Sequence, residues 1–205
     1  IADAFMMMQT VLDRGIADKV LSGGVVANIL LAAKGENIGE ASLGFIKKQG
    51  YDGFIETVKP LLEKYGEKIV LPADLAYTEE GKRGEAVVGS LPGDKMLVDI
   101  GAKTAAAYRE AILGAKTVFV NGPMGIFEKE ETEFGTRAVW QALADTEGYT
   151  VVGGGDSVTA TNKYGLGPQM GYICTGGGAL IRFLSGEELP VVRALRHAAQ
   201  AFPLD

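Results

Sequence analysis

Three short segments of this chain carry residue types that could hold a phosphorylated ligand. Val151-Val152-Gly153-Gly154-Gly155-Asp156-Ser157 sets three glycines, a carboxylate and a hydroxyl directly behind an apolar run. Without Cβ atoms, the backbone N–H groups of such a loop can approach phosphate oxygens closely, and a helix that starts there points its positive end at the anion. Ser157 adds a hydroxyl, and Asp156 could take a Mg²⁺ ion carried on the phosphates. The same residues could also make a tight strand-to-helix turn with Asp156 as a simple helix N-cap. Thr175-Gly176-Gly177-Gly178 repeats the pattern one apolar run later. Two triple-glycine loops are costly as turns alone, because each glycine loses more conformational entropy on folding than any other residue. The pair therefore favours a polyphosphate site. The third segment is Asn121-Gly122-Pro123-Met124-Gly125-Ile126-Phe127-Glu128. Taken by itself, Glu128 reads as a solvated loop carboxylate, since Lys129, Glu130 and Glu131 follow it.

Each segment must be positioned by the elements around it, and those elements have a recognisable rhythm. Short β-branched or apolar runs lead into glycine or polar residues at Val20-Leu21, Ile69-Val70-Leu71, Met96-Leu97-Val98, Val118-Phe119-Val120, Val151-Val152 and Tyr172-Ile173-Cys174. Helical spacing of apolar residues predicts helices over about 2–13, 54–65, 104–114, 131–145, 156–164 and 190–200. Pro60 kinks the second of these or delays its start. Continuous apolar strands alternating with helices predict one α/β domain over residues 1–205, a parallel sheet covered on both faces. In such a sheet, ligands bind beyond the carboxyl ends of the strands, which is where the glycine clusters sit. Residues 73–95 break the rhythm with charged and glycine-rich sequence, and they leave room for an extra strand at Ala86-Val87-Val88.

The chain has 205 residues, 20 lysines and arginines against 26 aspartates and glutamates, and a net charge of −6. That balance argues against nucleic acid or an anionic membrane as the main partner, both of which need a basic patch. It leaves open a phosphorylated small molecule, whose charge helix N-termini and Mg²⁺ can meet locally. One cysteine, Cys174, fits a reducing cytoplasm. No apolar stretch approaches the roughly 20 residues needed to span a bilayer. Neither G-x-G-x-x-G nor G-x-x-x-x-G-K-[ST] is present, which weakens dinucleotide and P-loop readings. The chain opens on Ile1-Ala2-Asp3 and an apolar helix without an N-cap, so the expectation is a piece of something longer. Trp140 and Met6-Met7-Met8 read as core, Cys174 as a small buried apolar residue, and His197 and Lys163 as solvated helix positions.

Here the motifs become specific. The Asn121–Glu128 string resembles the Asn-Gly-Pro-Met/Val-Gly-Val/Ile-Phe-Glu signature of phosphoglycerate kinases. Gly153–Ser157 is similar to their Gly-Gly-Gly-Asp-Thr/Ser loop, and Thr175–Gly178 to their late Thr-Gly-Gly-Gly loop, in the family's order. The resemblance implies a three-layer α/β/α, Rossmann-like parallel sheet of about six strands in the order 3-2-1-4-5-6. It also implies roles. Gly23, Gly24 and Gly101 wall an adenine pocket, Glu128 binds the ribose hydroxyls, and Asn121 lies near the nucleotide phosphates. Gly153, Gly154, Gly155 and Ser157 cradle the α- and β-phosphates with Asp156 on Mg²⁺, while Gly176, Gly177 and Gly178 place N–H groups near the phosphoryl group in transfer.

The reaction implied is transfer between 1,3-bisphosphoglycerate and ADP, giving 3-phosphoglycerate and ATP in glycolysis. In the family the glycerate substrate sits on a separate N-terminal domain, and a Gly-Gly-Ala/Ser-Lys motif ends just before the point where this chain begins. Many members carry a second lysine where Ala4 stands, proline where Ala102 stands and serine where Cys174 stands. The expectation is therefore a chain that binds ADP or ATP with Mg²⁺ and does not catalyse transfer alone. An NAD-type oxidoreductase domain and a non-catalytic nucleotide-binding regulator are the rival readings.

Overall fold

A computed structural model describes residues 1–202 of the chain. Ala2–Asp13 forms helix α1, which buries Phe5, Met8 and Leu12 at helical spacing. Strand β1 (Val20–Leu21) leads into α2 (Gly24–Ala33). This helix was not anticipated, because Val25 to Ala33 is apolar almost all round and shows no amphipathic period. A helix of that kind is one that lies inside, and Ala27, Asn28, Ile29, Leu30 and Leu31 are all buried. Helix α3 (Gly39–Lys48) follows. The helix predicted over 54–65 is two pieces, α4 (Gly53–Thr57) and α5 (Lys59–Tyr65), broken at Val58. Pro60 lies in the first turn of α5, where its missing N–H leaves no bond unmade.

After strand β2 (Ile69–Val70), the charged stretch folds into a hairpin of β3 (Asp74–Glu79) and β4 (Lys82–Val87). Its two-residue turn is Glu80-Gly81, both at positive φ (50° and 74°), the backbone that tight hairpins favour. The expected extra strand near 86–88 is thus β4, and β3 is an addition to the expectation. Then come β5 (Leu97–Ile100), α6 (Ala102–Leu113), β6 (Thr117–Asn121), α7 (Phe134–Asp145), β7 (Tyr149–Gly153), α8 (Gly155–Lys163), β8 (Tyr172–Cys174), α9 (Gly178–Leu184) and α10 (Pro190–Ala201).

The mixed α/β class is as expected, but the strand pairing corrects the predicted single parallel sheet. Among the described residues, β1 pairs with β2, β6 with β7, and β7 with β8, all parallel; these pairs are neighbours in the expected order. The expected third strand, β5, pairs antiparallel with β3 instead, and the hydrogen-bonded ladders are three rather than one. The order 3-2-1-4-5-6 is therefore not the hydrogen-bonded order. At β5 the cause is the hairpin. Leu75 and Ala76 are buried and bring β3 alongside Ile100 and Asp99; the strand, Asp-Leu-Ala-Tyr-Thr-Glu, has no apolar alternation to reveal it.

The largest buried side chains are Trp140, Tyr108 and the aliphatic residues of α2, including Ile29, Leu30 and Leu31. Both aromatic polar atoms are satisfied. Trp140 Nε1 donates to Thr161 Oγ1 at 2.9 Å, joining α7 to α8. Tyr108 Oη donates to Ser22 O at 2.7 Å, holding α6 against the end of β1. Burial pushes the Tyr108 phenol up from its ordinary range. His197 is exposed on α10, as expected, whereas Cys174 is only half-buried.

Candidate functional site

Parallel register brings three of the sequence motifs level. Asn121 pairs with Gly153, and Gly153 with Cys174, so the loops after β6, β7 and β8 leave the sheet side by side. They are then sewn together by glycine-permitted contacts. Gly154 has φ 89°, and a Cβ there would sit 2.5 Å from Asn121 Oδ1. Gly122 N–H donates to Ser157 Oγ at 2.7 Å. Met124 N–H donates to Thr136 Oγ1 at 3.1 Å, and Ile126 N–H to Val98 O at 2.8 Å. Gly24 N–H donates to Met124 O at 2.8 Å, which seats the first turn of α2 on the same loop. Gly23, Gly24, Asn121, Met124 and Asp156 all line one open groove of about 1350 Å³.

The two helices most plainly aimed at this edge differ in what meets their N-terminal N–H groups. At α6 the donors are already taken. Asp74, which is buried, accepts Lys103 N–H at 3.0 Å and Thr104 N–H at 2.8 Å, and Glu85 Oε2 accepts Ala102 N–H at 3.0 Å. Two carboxylates thus neutralise the positive end of α6, which closes it to an anionic ligand. A Cβ on Gly101 would overlap the Asp74 carboxylate. Gly101 is buried and does not line the groove; its lack of a side chain is accounted for by the Asp74 cap. This departs from the adenine-wall role that the resemblance implied.

At α8 the donors are open. No acceptor among the described residues reaches the N–H groups of Gly155, Asp156 or Ser157. Gly155 and Asp156 are exposed. Gly155 has no positive φ, and a Cβ there would meet nothing within 4 Å. A glycine in a helix costs about 1 kcal/mol relative to alanine, so the fold gives no reason for Gly155. Gly178, the first residue of α9, is the same case, with nothing within 4 Å of its added Cβ. Gly177 differs, since its φ of 51° itself asks for glycine. A Cβ on Gly153 would press on Leu180 and Phe119, so that glycine serves packing between β7 and α9.

Ser157 does not behave as expected. It is fully buried, and its hydroxyl is engaged by Gly122 N–H, so it ties two loops together rather than facing the groove. Glu128 is exposed and accepts no hydrogen bond among the described residues. Gly176 is exposed, and a Cβ there would lie 3.4 Å from Cys174 Sγ.

Beneath the Asn121–Glu128 loop lie charged groups that sequence reasoning did not single out. Asp99 is buried, and its Oδ2 accepts Gly135 N–H at 2.6 Å and Arg83 Nη1 at 2.9 Å. Its Oδ1 has no partner among the described residues. Burial pushes the Asp99 carboxyl up to about 6 against the opposing pull of Gly135 N–H and Arg83. Glu133 is also buried. Burial raises its carboxyl, but the Lys163 ammonium and the Arg137 guanidinium beside it outweigh that and hold it below the ordinary glutamate range. Lys163 is exposed, as expected, and its Nζ also reaches this group. Apart from Glu133 and Arg137, four residues apart, no local signal could have found these contacts, which join residues 16 to 36 apart.

A profile of the phosphoglycerate kinase family matches residues 1–187. The chain is 40% identical over 204 residues to the phosphoglycerate kinase of Thermoplasma acidophilum, spanning 98% of this chain and 50% of that protein. It is 44% identical over 197 residues to the phosphoglycerate kinase of Methanosarcina mazei, spanning 96% and 47% respectively. Among solved structures, the phosphoglycerate kinase of Pyrococcus horikoshii superposes with a TM-score of 0.91 at 38% identity, covering 98% of this chain and 51% of that one. The enzyme from Coxiella burnetii gives 0.83 at 32% identity. The chain spans about half the length of the curated relatives it matches.

Proposed function

This chain belongs to the phosphoglycerate kinase family, and from that premise we propose that residues 1–205 form its nucleotide-binding domain, holding ADP or ATP with Mg²⁺ for glycolytic phosphoryl transfer in the cytoplasm. The reaction is transfer between 1,3-bisphosphoglycerate and ADP to give 3-phosphoglycerate and ATP. The observation that carries the reading is the open first turn of α8. Its N–H groups meet no acceptor among the described residues, and an added Cβ on Gly155 would stand in open space beside them.

The N–H groups of Gly155 and Asp156 receive the α- and β-phosphate oxygens, helped by the positive end of α8. Asn121, level with Gly153, stands beside the phosphates, and adenine occupies the groove next to Gly23 and Gly24. Glu128 reaches the ribose hydroxyls. The loop from Gly176 to Gly178 offers N–H groups to the phosphoryl group in transfer, where preorganised donors are worth most.

Among the described residues there is no cluster of three metal-ligating side chains. That fits Mg²⁺, which is commonly held by one or two carboxylates together with phosphate oxygens and water. Asp156, exposed in the first turn of α8, is the carboxylate that holds it. Bound there, the ion neutralises phosphate charge. Transfer of this kind asks the protein for positioning and charge stabilisation rather than covalent chemistry, consistent with a site built from backbone N–H groups and one carboxylate.

The glycerate substrate is handled by the half of the family protein with which this chain does not align. The 205 residues by themselves therefore bind nucleotide without turnover, since losing substrate positioning costs several orders of magnitude in rate. Calorimetric titration with ADP, with and without Mg²⁺, tests the binding. A coupled assay of 3-phosphoglycerate-dependent ATP consumption tests the turnover. Saturable Mg²⁺-ADP binding with no turnover is expected; absence of ADP binding, or a preference for NADH, would overturn the assignment.

A further inference from the structure

Helix α8 touches the candidate site at both ends. Its first turn carries Asp156 and the open N–H groups, and Ser157 Oγ there accepts Gly122 N–H. Its last residue is Lys163. Lys163 Nζ donates to Phe127 O at 2.6 Å and lies 2.7 Å from Glu133 Oε2. The other carboxylate oxygen of Glu133 accepts Arg137 Nη2 at 2.6 Å, an i,i+4 pair on α7. Glu133 is buried while the Lys163 side chain is about one-third exposed, so the ammonium is anchored from the inside.

Phe127 is the residue immediately before Glu128. The segment from Gly122 to Glu133 contains no helix or strand, so its course depends on the few bonds that pin it. Gly122 is held by Ser157, Met124 by Thr136, Ile126 by the end of β5, and Phe127 by Lys163. The Lys163 bond is the last one before Glu128. It is a charge-assisted bond to a backbone carbonyl, the stronger class of hydrogen bond, and burial of Phe127 itself adds a second grip at the same residue.

We propose that Lys163 is a positioning residue for the nucleotide ribose: it fixes Phe127 and thereby sets Glu128 at a constant distance from the phosphate-binding turn on the same helix. One rigid α8 then gauges the span between the phosphate end and the sugar end of the ligand. The inference rests on the nucleotide reading above, and in particular on Glu128 facing the ribose.

The test compares the wild-type chain with Lys163→Met, which keeps the aliphatic stem, and Lys163→Arg, which keeps the charge and a donor. Three probes are titrated with Mg²⁺: ADP, 2′,3′-dideoxy-ADP and inorganic pyrophosphate. In the wild type, ADP binds more tightly than the dideoxy analogue. Lys163→Met is expected to lose about tenfold in ADP affinity, the scale of one charge-assisted hydrogen bond. It is also expected to bind ADP and the dideoxy analogue alike, with pyrophosphate within about twofold of wild type, and Lys163→Arg restores the preference for ADP. If Lys163→Met keeps the wild-type preference for ADP over the analogue, or weakens all three probes equally, the positioning role is refuted while the nucleotide reading stands. If the wild type itself does not distinguish ADP from the analogue, the assignment of Glu128 falls, and the inference with it. Should Lys163→Met melt below the assay temperature, Lys163→Gln, which retains a donor without the charge, is judged by the same three affinities.

Discussion

Replacing Asp99 by asparagine should change how stability depends on pH more than it changes the fold. The carboxylate is buried, one oxygen is held by Gly135 N–H and Arg83, and the other has no partner among the described residues. Burial raises its pKa from 3.8 to about 6. Between those values the folded chain keeps a proton that the unfolded chain has released, so unfolding gives up a proton and rising pH favours it. The stabilisation is complete below the ordinary aspartate pKa and is lost as pH climbs through about 6. A difference of about two pH units, at about 1.36 kcal/mol each, amounts to about 3 kcal/mol in all. About half of that, roughly 1.5 kcal/mol, should disappear between pH 5 and pH 7.5, and the rest lies below pH 5.

Asp99→Asn keeps an acceptor for Gly135 N–H but cannot ionise. Urea unfolding of both proteins at pH 5 and pH 7.5 isolates this one group, because Asp13, Asp94, Glu133 and Asp145, whose carboxyls are held low by their partners, contribute equally to each. The wild type should lose about 1.5 kcal/mol more than the variant over that interval. Parallel losses would mean that Asp99 ionises like a solvated carboxylate and that the buried, half-partnered arrangement is wrong.

Three further outcomes follow from the site. Gly101→Ala, with an ordinary φ of −82°, should destabilise the chain by about 1–3 kcal/mol in thermal or denaturant melts, purely because its Cβ meets the Asp74 carboxylate that caps α6. Gly155→Ala should leave the melt unchanged or raise it by up to about 1 kcal/mol while weakening ADP binding at least tenfold in calorimetry, since the added methyl stands in open space at the phosphate turn. Asp156→Ala should weaken Mg²⁺-ADP binding and leave metal-free ADP binding nearly as it was; if it were only a helix cap, the titrations would match and stability would drop by about 1 kcal/mol instead.

Helix α1 over 2–13 was legible to the residue, because the spacing of Phe5, Met8 and Leu12 is a property of neighbours along the chain. The same holds for the strand-then-glycine rhythm that put Asn121, Gly153 and Gly176 at strand ends, and for the motif order that points to the family. Helix α2 was illegible for the opposite reason: burial on every side erases the period that reveals an amphipathic helix. The antiparallel pairing of β5 with β3 depended on a hairpin hidden among charges.

What each site residue does was decided by the tertiary structure. Gly101 and Gly155 look alike in sequence, each a glycine opening a helix after a strand. Yet Asp74 and Glu85 occupy the donors after the first, and no acceptor among the described residues occupies those after the second. Ser157, read as a phosphate ligand, holds Gly122 across 35 residues, and Lys163, read as solvated, holds Phe127 across 36. A side chain's local sequence states what it can donate or accept. Only closure of the chain over such distances, where neither partner gains anything until both are in place, determines whether that capacity is used inside the fold or left open to a ligand.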